Sequence, residues 1–221
     1  MPHWCLFVMQ QKFIQQLRKQ LASSLPGRDA QYKMAHAIRT GYVDAPNDAR
    51  VAGVLCLIYL KNEEWTVALI QRTAAEARDA HKGQIAFPGG KAEAEDSSYE
   101  ATALRETEEE IGIPEKDIEI LGALTTLYIP VSNFQVYPFV GFLNYAPTFK
   151  LQKTEVATVY EVPLTHFQKA SIIDKTEVRI SPQIVLKNVP YYDVEGKILW
   201  GATAMMLSEF LEVVNRIVIE S

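Results

Sequence analysis

Apolar and polar positions fall along the chain in blocks of different period. From Cys5 to Ser24 the apolar residues Phe7, Phe13, Ile14, Leu17 and Leu21 recur at helical spacing, and Pro26-Gly27 ends the run. Val51 to Leu60 is almost continuously apolar, the pattern of a central strand buried on both faces. Asn62-Glu63-Glu64 is turn material, and Trp65 to Ile70 resumes as a strand, which predicts a hairpin. Arg72 to Lys82 is polar and reads as a loop. Gln84 to Phe87 reads as a short strand ended by Pro88-Gly89-Gly90. Ser97 to Ile111 is helical. Ile118 to Tyr128 and Phe134 to Phe142 predict two strands divided by Pro130 to Asn133, and Val156 to Val162 predicts another. Leu164 to Lys169 is a short helix. Val178 to Ile180, Ile184 to Leu186 and Lys197 to Leu199 are short strand candidates. Ala202 to Ile217 closes the chain as a helix with Met205, Met206, Phe210, Leu211 and Val214 on its apolar face. Strands and helices do not alternate one for one. That argues against a doubly wound fold and for an α+β fold with helices packed on a mixed sheet.

Composition narrows the function classes. A length of 221 residues suits one large domain or two small ones, and 48% hydrophobic with 22% charged residues is the balance of a globular protein. The formal charge is −5 and no dense Lys/Arg run occurs, so no nucleic-acid partner is expected. An anionic substrate would then need local basic residues or a metal ion. Cys5 and Cys56 have no metal-ligand spacing and read as free thiols of a reducing compartment. No apolar run is long enough to span a bilayer, and Met1 to Gln15 lacks the basic region and cleavage site of a signal peptide. The expectation is a cytoplasmic protein without a membrane partner. Trp4, Phe7 and Val8 read as a core-facing helix stripe rather than a membrane contact.

The informative stretch is Gly89 to Ile113. Ser97 with Glu100 has the spacing of a capping box, and Gly112 then Pro114 form a helix stop. At about 100° per residue, Glu106 and Glu110 lie about 40° apart, with Glu109 about 60° to the other side of Glu106. Glu108 points away from the three. Ala103, Leu104, Thr107 and Ile111 share a separate arc of about 100° that faces the core. Like charges at these spacings repel. A hard divalent cation such as Mg²⁺ or Mn²⁺ removes that penalty, whereas a solvated acidic face explains the same run without a metal. Phe87-Pro88-Gly89-Gly90 just before the helix favours the metal reading, because two glycines let a ligand approach the backbone closely.

This stretch resembles the Nudix box, G-x5-E-x7-R-E-U-x-E-E-x-G-U with U apolar. Arg105, Glu106, Glu109, Glu110, Gly112 and Ile113 match its second half. Gly90 to Arg105 is one residue longer than the usual spacing, which makes Asp96 the best match for the first acid, and Thr107 replaces an aliphatic residue. The resemblance implies an α/β/α sandwich, Mg²⁺ or Mn²⁺ as cofactor, and hydrolysis of a nucleoside diphosphate linked to another group. His81-Lys82-Gly83-Gln84-Ile85-Ala86-Phe87-Pro88-Gly89-Gly90, with Thr102-Ala103-Leu104-Arg105-Glu106, is similar to the coenzyme A diphosphatase branch, which carries the same extra residue. The basic residues of that branch's upstream element correspond to Arg72 and Arg78, each with a one-residue longer spacing. Trp200-Gly201-Ala202-Thr203-Ala204 is also similar to the branch.

On this resemblance the expected metal ligands are Glu106, Glu110 and Glu109, with the Gly90 carbonyl as an extra ligand and Asp96 acting through water. Glu109 is a ligand or the group that takes a proton from water. Arg105 holds a glutamate in place, and Glu155 is the candidate for a further carboxylate from outside the box; a solvated loop acid is the competing reading of Glu155. Arg72, Arg78, His81, Lys82 and Gln84 are expected on the substrate, with the cations meeting phosphates that include a 3′-phosphate; surface solubility is the competing reading of the cations, and proton transfer or a structural hydrogen bond in a loop that of His81. Residues 1–28 are expected as an N-terminal helical segment and 29–221 as the Nudix domain. The expected partner is a small molecule, coenzyme A or a related nucleotide, with a homodimer implied by the family. Another nucleoside diphosphate derivative (an ADP-sugar, NADH or a dinucleotide) is the nearest alternative substrate. A non-catalytic Nudix module would be expected to have lost the box glutamates, and Glu106, Glu109 and Glu110 are all present.

Overall fold

The computed structural model describes residues 3–39, 41–73, 83–169, 172–181 and 183–217. Helix α1 (His3–Leu21) and a short α2 (Gly27–Tyr32) precede the hairpin β1 (Arg50–Lys61) and β2 (Glu64–Arg72). β3 (Ile85–Ala86), β4 (Gly89–Lys91) and helix α3 (Tyr99–Ile111) follow. A 3-10 turn at Glu115–Asp117 leads to β5 (Glu119–Ala123), β6 (Leu127–Ile129), β7 (Phe134–Leu143) and β8 (Val156–Pro163). The chain ends with α4 (Leu164–Phe167), the strands β9 (Ile173–Ser181), β10 (Ile184–Val194) and β11 (Lys197–Trp200), and α5 (Gly201–Asn215).

β1 and β7 run parallel through the middle of an eight-stranded sheet, and every other pairing in it is antiparallel. The apolar run of β1 feeds two cores, as a strand buried on both faces must. Leu55, Leu57 and Tyr59 pack with Ala103 and Ile111 of α3. Cys56 and Ile58 pack on the opposite face with Leu17 of α1 and Phe210 of α5. The result is an α+β fold with the mixed sheet sandwiched between helices. β9, β10 and β11 form a separate three-stranded antiparallel sheet. The N-terminal helical segment shares the larger core through Phe13, Ile14, Leu17 and Leu21, and Phe13 stacks on Trp65 of β2 at 4.3 Å.

Several expected elements differ in detail. The single strand expected over residues 118–128 is two, because Thr125 leaves the ladder. Its N–H and hydroxyl both donate to Glu209, a fully buried carboxylate that also accepts from Gly27 N–H and Gln31 Nε2. Four donors on one carboxylate satisfy its buried charge and tie α5 to α2 and to the β5–β6 break. Gly89-Gly90 is a strand rather than a turn. It pairs with Ala52–Val54 of β1, while β1 gives its other end, Ile58–Lys61, to β2. β9 and β10 extend well beyond the short segments expected.

Candidate active site

Helix α3 is capped at both ends by its own sequence. Ser98, one residue after the expected Ser97, is the N-cap: its backbone is extended and its side chain accepts from Ala101 N–H at 3.1 Å. Gly112 ends the helix in the left-handed conformation with φ of 73°. Glu108 is exposed, turned from the other glutamates as expected, and accepts from Glu115 N–H at 2.9 Å. Thr107 is fully buried and satisfies its hydroxyl on the Ala103 carbonyl at 2.6 Å, so a polar residue is tolerated at an apolar position.

Glycines set how closely the helix meets the sheet. A Cβ at Gly53 of β1 would overlap the Tyr99 carbonyl oxygen, so only glycine lets α3 lie this close. A Cβ at Gly90 would fall on the Glu106 carboxylate. The Phe87-Pro88-Gly89-Gly90 stretch thus forms a floor on which the helix acids rest. Gly89 N–H donates to Glu110 Oε2 at 2.9 Å. Glu110 is buried to 1% exposure, and burial pushes its carboxyl up to about 8, against the opposing pull of Gly89 N–H and the Arg72 guanidinium. Glu106 is also held above the usual carboxylate range, mainly by burial, with Arg105 opposing.

Arg105 and Asp96 form a brace. Arg105 Nε and Nη2 donate to the two Asp96 oxygens at 2.9 and 3.1 Å. Asp96 also accepts from Thr102 Oγ1 at 2.8 Å and from Glu93 N–H at 2.9 Å. These bonds, Arg105 first, hold Asp96 well below the usual carboxylate range. Asp96, expected to act on a metal through water, also orients Arg105. Arg105 Nη1 lies 3.1 Å from both Glu106 Oε1 and Glu109 Oε2, so the arginine contacts two glutamates as well as the brace. Glu109 is exposed.

The structure brings Glu155 to the same site from outside the helix. Thr73 N–H and Oγ1 donate to the Glu155 and Thr154 carbonyls at 2.8 and 2.7 Å, which fastens this loop to the end of β2. The Glu155 charge contributes to raising both Glu106 and Glu110. Arg72 Nη1 lies 3.6 Å from Glu110 Oε1, an ion pair with the buried acid, and the residue also lines the cavity. Gln84 lines the cavity beside Gly89 and Gly90. Arg78, His81 and Lys82 lie outside the described residues. Sequence reasoning missed the Asp96–Thr102 bond, the Thr73 clamp and the role of Gly53; the only signal for the brace was the box register that aligned Asp96.

The donor set suits a hard divalent ion. It consists of carboxylates, and burial holds Glu110 and Glu106 above the usual carboxylate range, which a cation would reverse. Among the described residues no three acidic or imidazole groups converge on one point. Mg²⁺ keeps several of its waters and is commonly held by one or two carboxylates plus substrate phosphate.

Comparison with known proteins follows the same line. The NUDIX domain model matches residues 49–178. This chain belongs to the Nudix family. Over 166 residues it is 34% identical to the uncharacterized Nudix hydrolase NudL of Photorhabdus laumondii, covering 75% of this chain and 86% of the relative. It is 38% identical over 138 residues to the NudL of Yersinia enterocolitica, covering 61% of this chain and 68% of that one. A crystal structure of the Nudix hydrolase RenU from M. smegmatis matches the Nudix fold with a TM-score of 0.51 at 17% identity, covering 82% of this chain and 98% of that one.

Proposed function

We propose that this Nudix hydrolase cleaves the pyrophosphate of coenzyme A or its derivatives, with Mg²⁺ or Mn²⁺, to 3′,5′-ADP and 4′-phosphopantetheine or its acylated form. The observation that carries hydrolysis of a diphosphate is the pair Glu106 and Glu110 resting on Gly89-Gly90, two glycines that also line a cavity of about 930 Å³. The choice of coenzyme A is supported by the resemblance of residues 81–90 and 102–106 to the coenzyme A diphosphatase branch.

Glu106 and Glu110 would hold the metal, with the Gly90 carbonyl and Glu109 in reach of it. When bound, the ion supplies charge neutralisation at the diphosphate and lowers the pKa of a water ligand. Water adds to one phosphorus, the bridging P–O bond breaks, and the electron pair leaves with the other phosphate. The proton released by the water goes to a carboxylate, Glu109 or Glu155, both of which are exposed and so exchange it readily with solvent. Arg105 positions Glu106 and Glu109 through the Asp96 brace. The 3.6 Å Arg72–Glu110 pair keeps a cation beside the buried acid.

Purified protein with Mg²⁺ or Mn²⁺ tested on coenzyme A, ADP-ribose and NADH, with products identified, checks the proposal. Coenzyme A should give the highest kcat/KM. A preference for ADP-ribose or NADH would overturn the coenzyme A assignment and leave the metal helix in place.

A further inference from the structure

The cavity that Gly89 and Gly90 line is walled mainly by apolar side chains, among them Met34, Val136, Leu186, Val189 and Met205, and no residue of α3 lines it. Arg39 also lines it, and the mechanism makes no use of this residue. Arg39 follows α2, in a segment held to β10 by His36 Nε2 on the Lys187 carbonyl at 2.8 Å. Its Nη2 donates to the Tyr128 carbonyl at 2.7 Å, its Nη1 meets Met205 Sδ at 3.2 Å, and its guanidinium carbon lies 6.0 Å from the centre of the Tyr32 ring. No carboxylate pairs with it among the described residues. By contrast Arg105 touches three carboxylates and Arg72 pairs with Glu110.

A guanidinium carries five N–H donors in a planar fork. Two contacts fix Arg39, which leaves three donors. Burial disfavours its charged form and lowers its pKa, with Tyr32 opposing. A cation held in place at such cost within the same cavity as the Gly89-Gly90 floor is poised for an anion that arrives with the ligand.

We propose that Arg39 determines specificity by binding a phosphate monoester that the substrate carries away from its scissile diphosphate. This rests on the coenzyme A reading, in which that group is the 3′-phosphate. A planar, bidentate donor suits a phosphate better than a point charge does. The cavity thereby selects diphosphates with a second, separate anion over those without one.

The test uses the full chain and two substrates, coenzyme A and dephospho-coenzyme A, with Arg39→Met retaining the aliphatic stem. A charge-assisted phosphate contact corresponds to about a tenfold to hundredfold effect. Arg39→Met should lose that factor in kcat/KM on coenzyme A, chiefly through KM, and change less than about threefold on dephospho-coenzyme A. Equal losses on both substrates would show that Arg39 only supports the fold and would overturn the proposal. If Arg39→Met does not fold, Arg39→Lys keeps the charge without the fork; a loss confined to coenzyme A supports the proposal, and a loss shared by both substrates overturns it. Calorimetric binding of 3′,5′-ADP and 5′-AMP separates this proposal from the activity it rests on. If the unaltered protein cleaves neither coenzyme A substrate, the coenzyme A reading fails. Tighter binding of 3′,5′-ADP that disappears in Arg39→Met would still support Arg39 as the phosphate reader, and equal binding of the two nucleotides would overturn it.

Discussion

Glu110 sits where a carboxylate is hard to keep ionised, and that has a measurable consequence. Burial raises it from an ordinary 4.5 to about 8, so the folded metal-free protein keeps a proton that the unfolded chain has released. With the folded value above the unfolded one, stability falls as pH rises from about 4.5 towards about 8. Glu110→Gln removes that slope and preserves an acceptor for Gly89 N–H. Its Tm without metal should exceed that of the unaltered protein by a margin that grows between pH 5 and pH 8, while turnover falls by orders of magnitude because a proposed metal ligand is gone. Thermal melts across that range decide it, and a constant margin would remove Glu110 ionisation as the cause. Glu108, two positions earlier, is the control. It faces solvent and caps the 3-10 turn through Glu115 N–H, an interaction glutamine can also make. Glu108→Gln should therefore change turnover less than about threefold, since hydrogen bonds of this kind contribute only about 1 kcal/mol. A collapse of activity would contradict the observed helix phase.

At the scale of elements, Gly53 and Gly90 separate stability from chemistry. At Gly53 an added Cβ meets the backbone of α3, which cannot move without lifting the helix from β1. Gly53→Ala should cost about 1–3 kcal/mol or more in denaturant melts, as overpacking against rigid backbone does. At Gly90 the added Cβ meets only the end of the Glu106 side chain, which can swing aside. Gly90→Ala should leave the melt nearly unchanged and weaken metal-dependent activity. Equal destabilisation by the two would show that the floor and the helix contact are not distinct. This contrast also marks what the sequence disclosed. The hairpin, the end of α3 and the shared face of Glu106 and Glu110 follow from apolar period, Gly112 and helical arithmetic, so they were legible. β4 was not, because Gly-Gly-Lys carries no alternating pattern and becomes a strand only by pairing with β1. β9 and β10 hide for a related reason: their many exposed side chains include Lys175, Glu177 and Lys187, which mask the strand period. Arg72 was expected on substrate from its charge and its match to the branch's upstream element, and its ion pair with Glu110, distant in sequence, forms only in the fold.

For the molecule as a whole, two cores on either face of one sheet hold the elements that carry the acids. α3 is anchored by the smaller core through Ala103 and Ile111, and the cavity wall by the larger one through Val136, Met205 and Met206. Metal binding should then add stability to the whole fold by mass action rather than order a local segment. At a free concentration a hundred times Kd, an ion that binds only the folded state adds about 2.7 kcal/mol. For a chain of this size each kcal/mol moves Tm by roughly 2–4 °C. Saturating Mg²⁺ or Mn²⁺ should accordingly raise Tm by about 5–11 °C in one cooperative transition. Glu106→Gln and Glu110→Gln should each remove most of that increase, and Glu108→Gln should retain it. Ca²⁺, which favours more ligands at longer distances, should give less. A metal-dependent rise that survives in both Glu106→Gln and Glu110→Gln would place the ion elsewhere on the protein and detach the hydrolytic proposal from this helix.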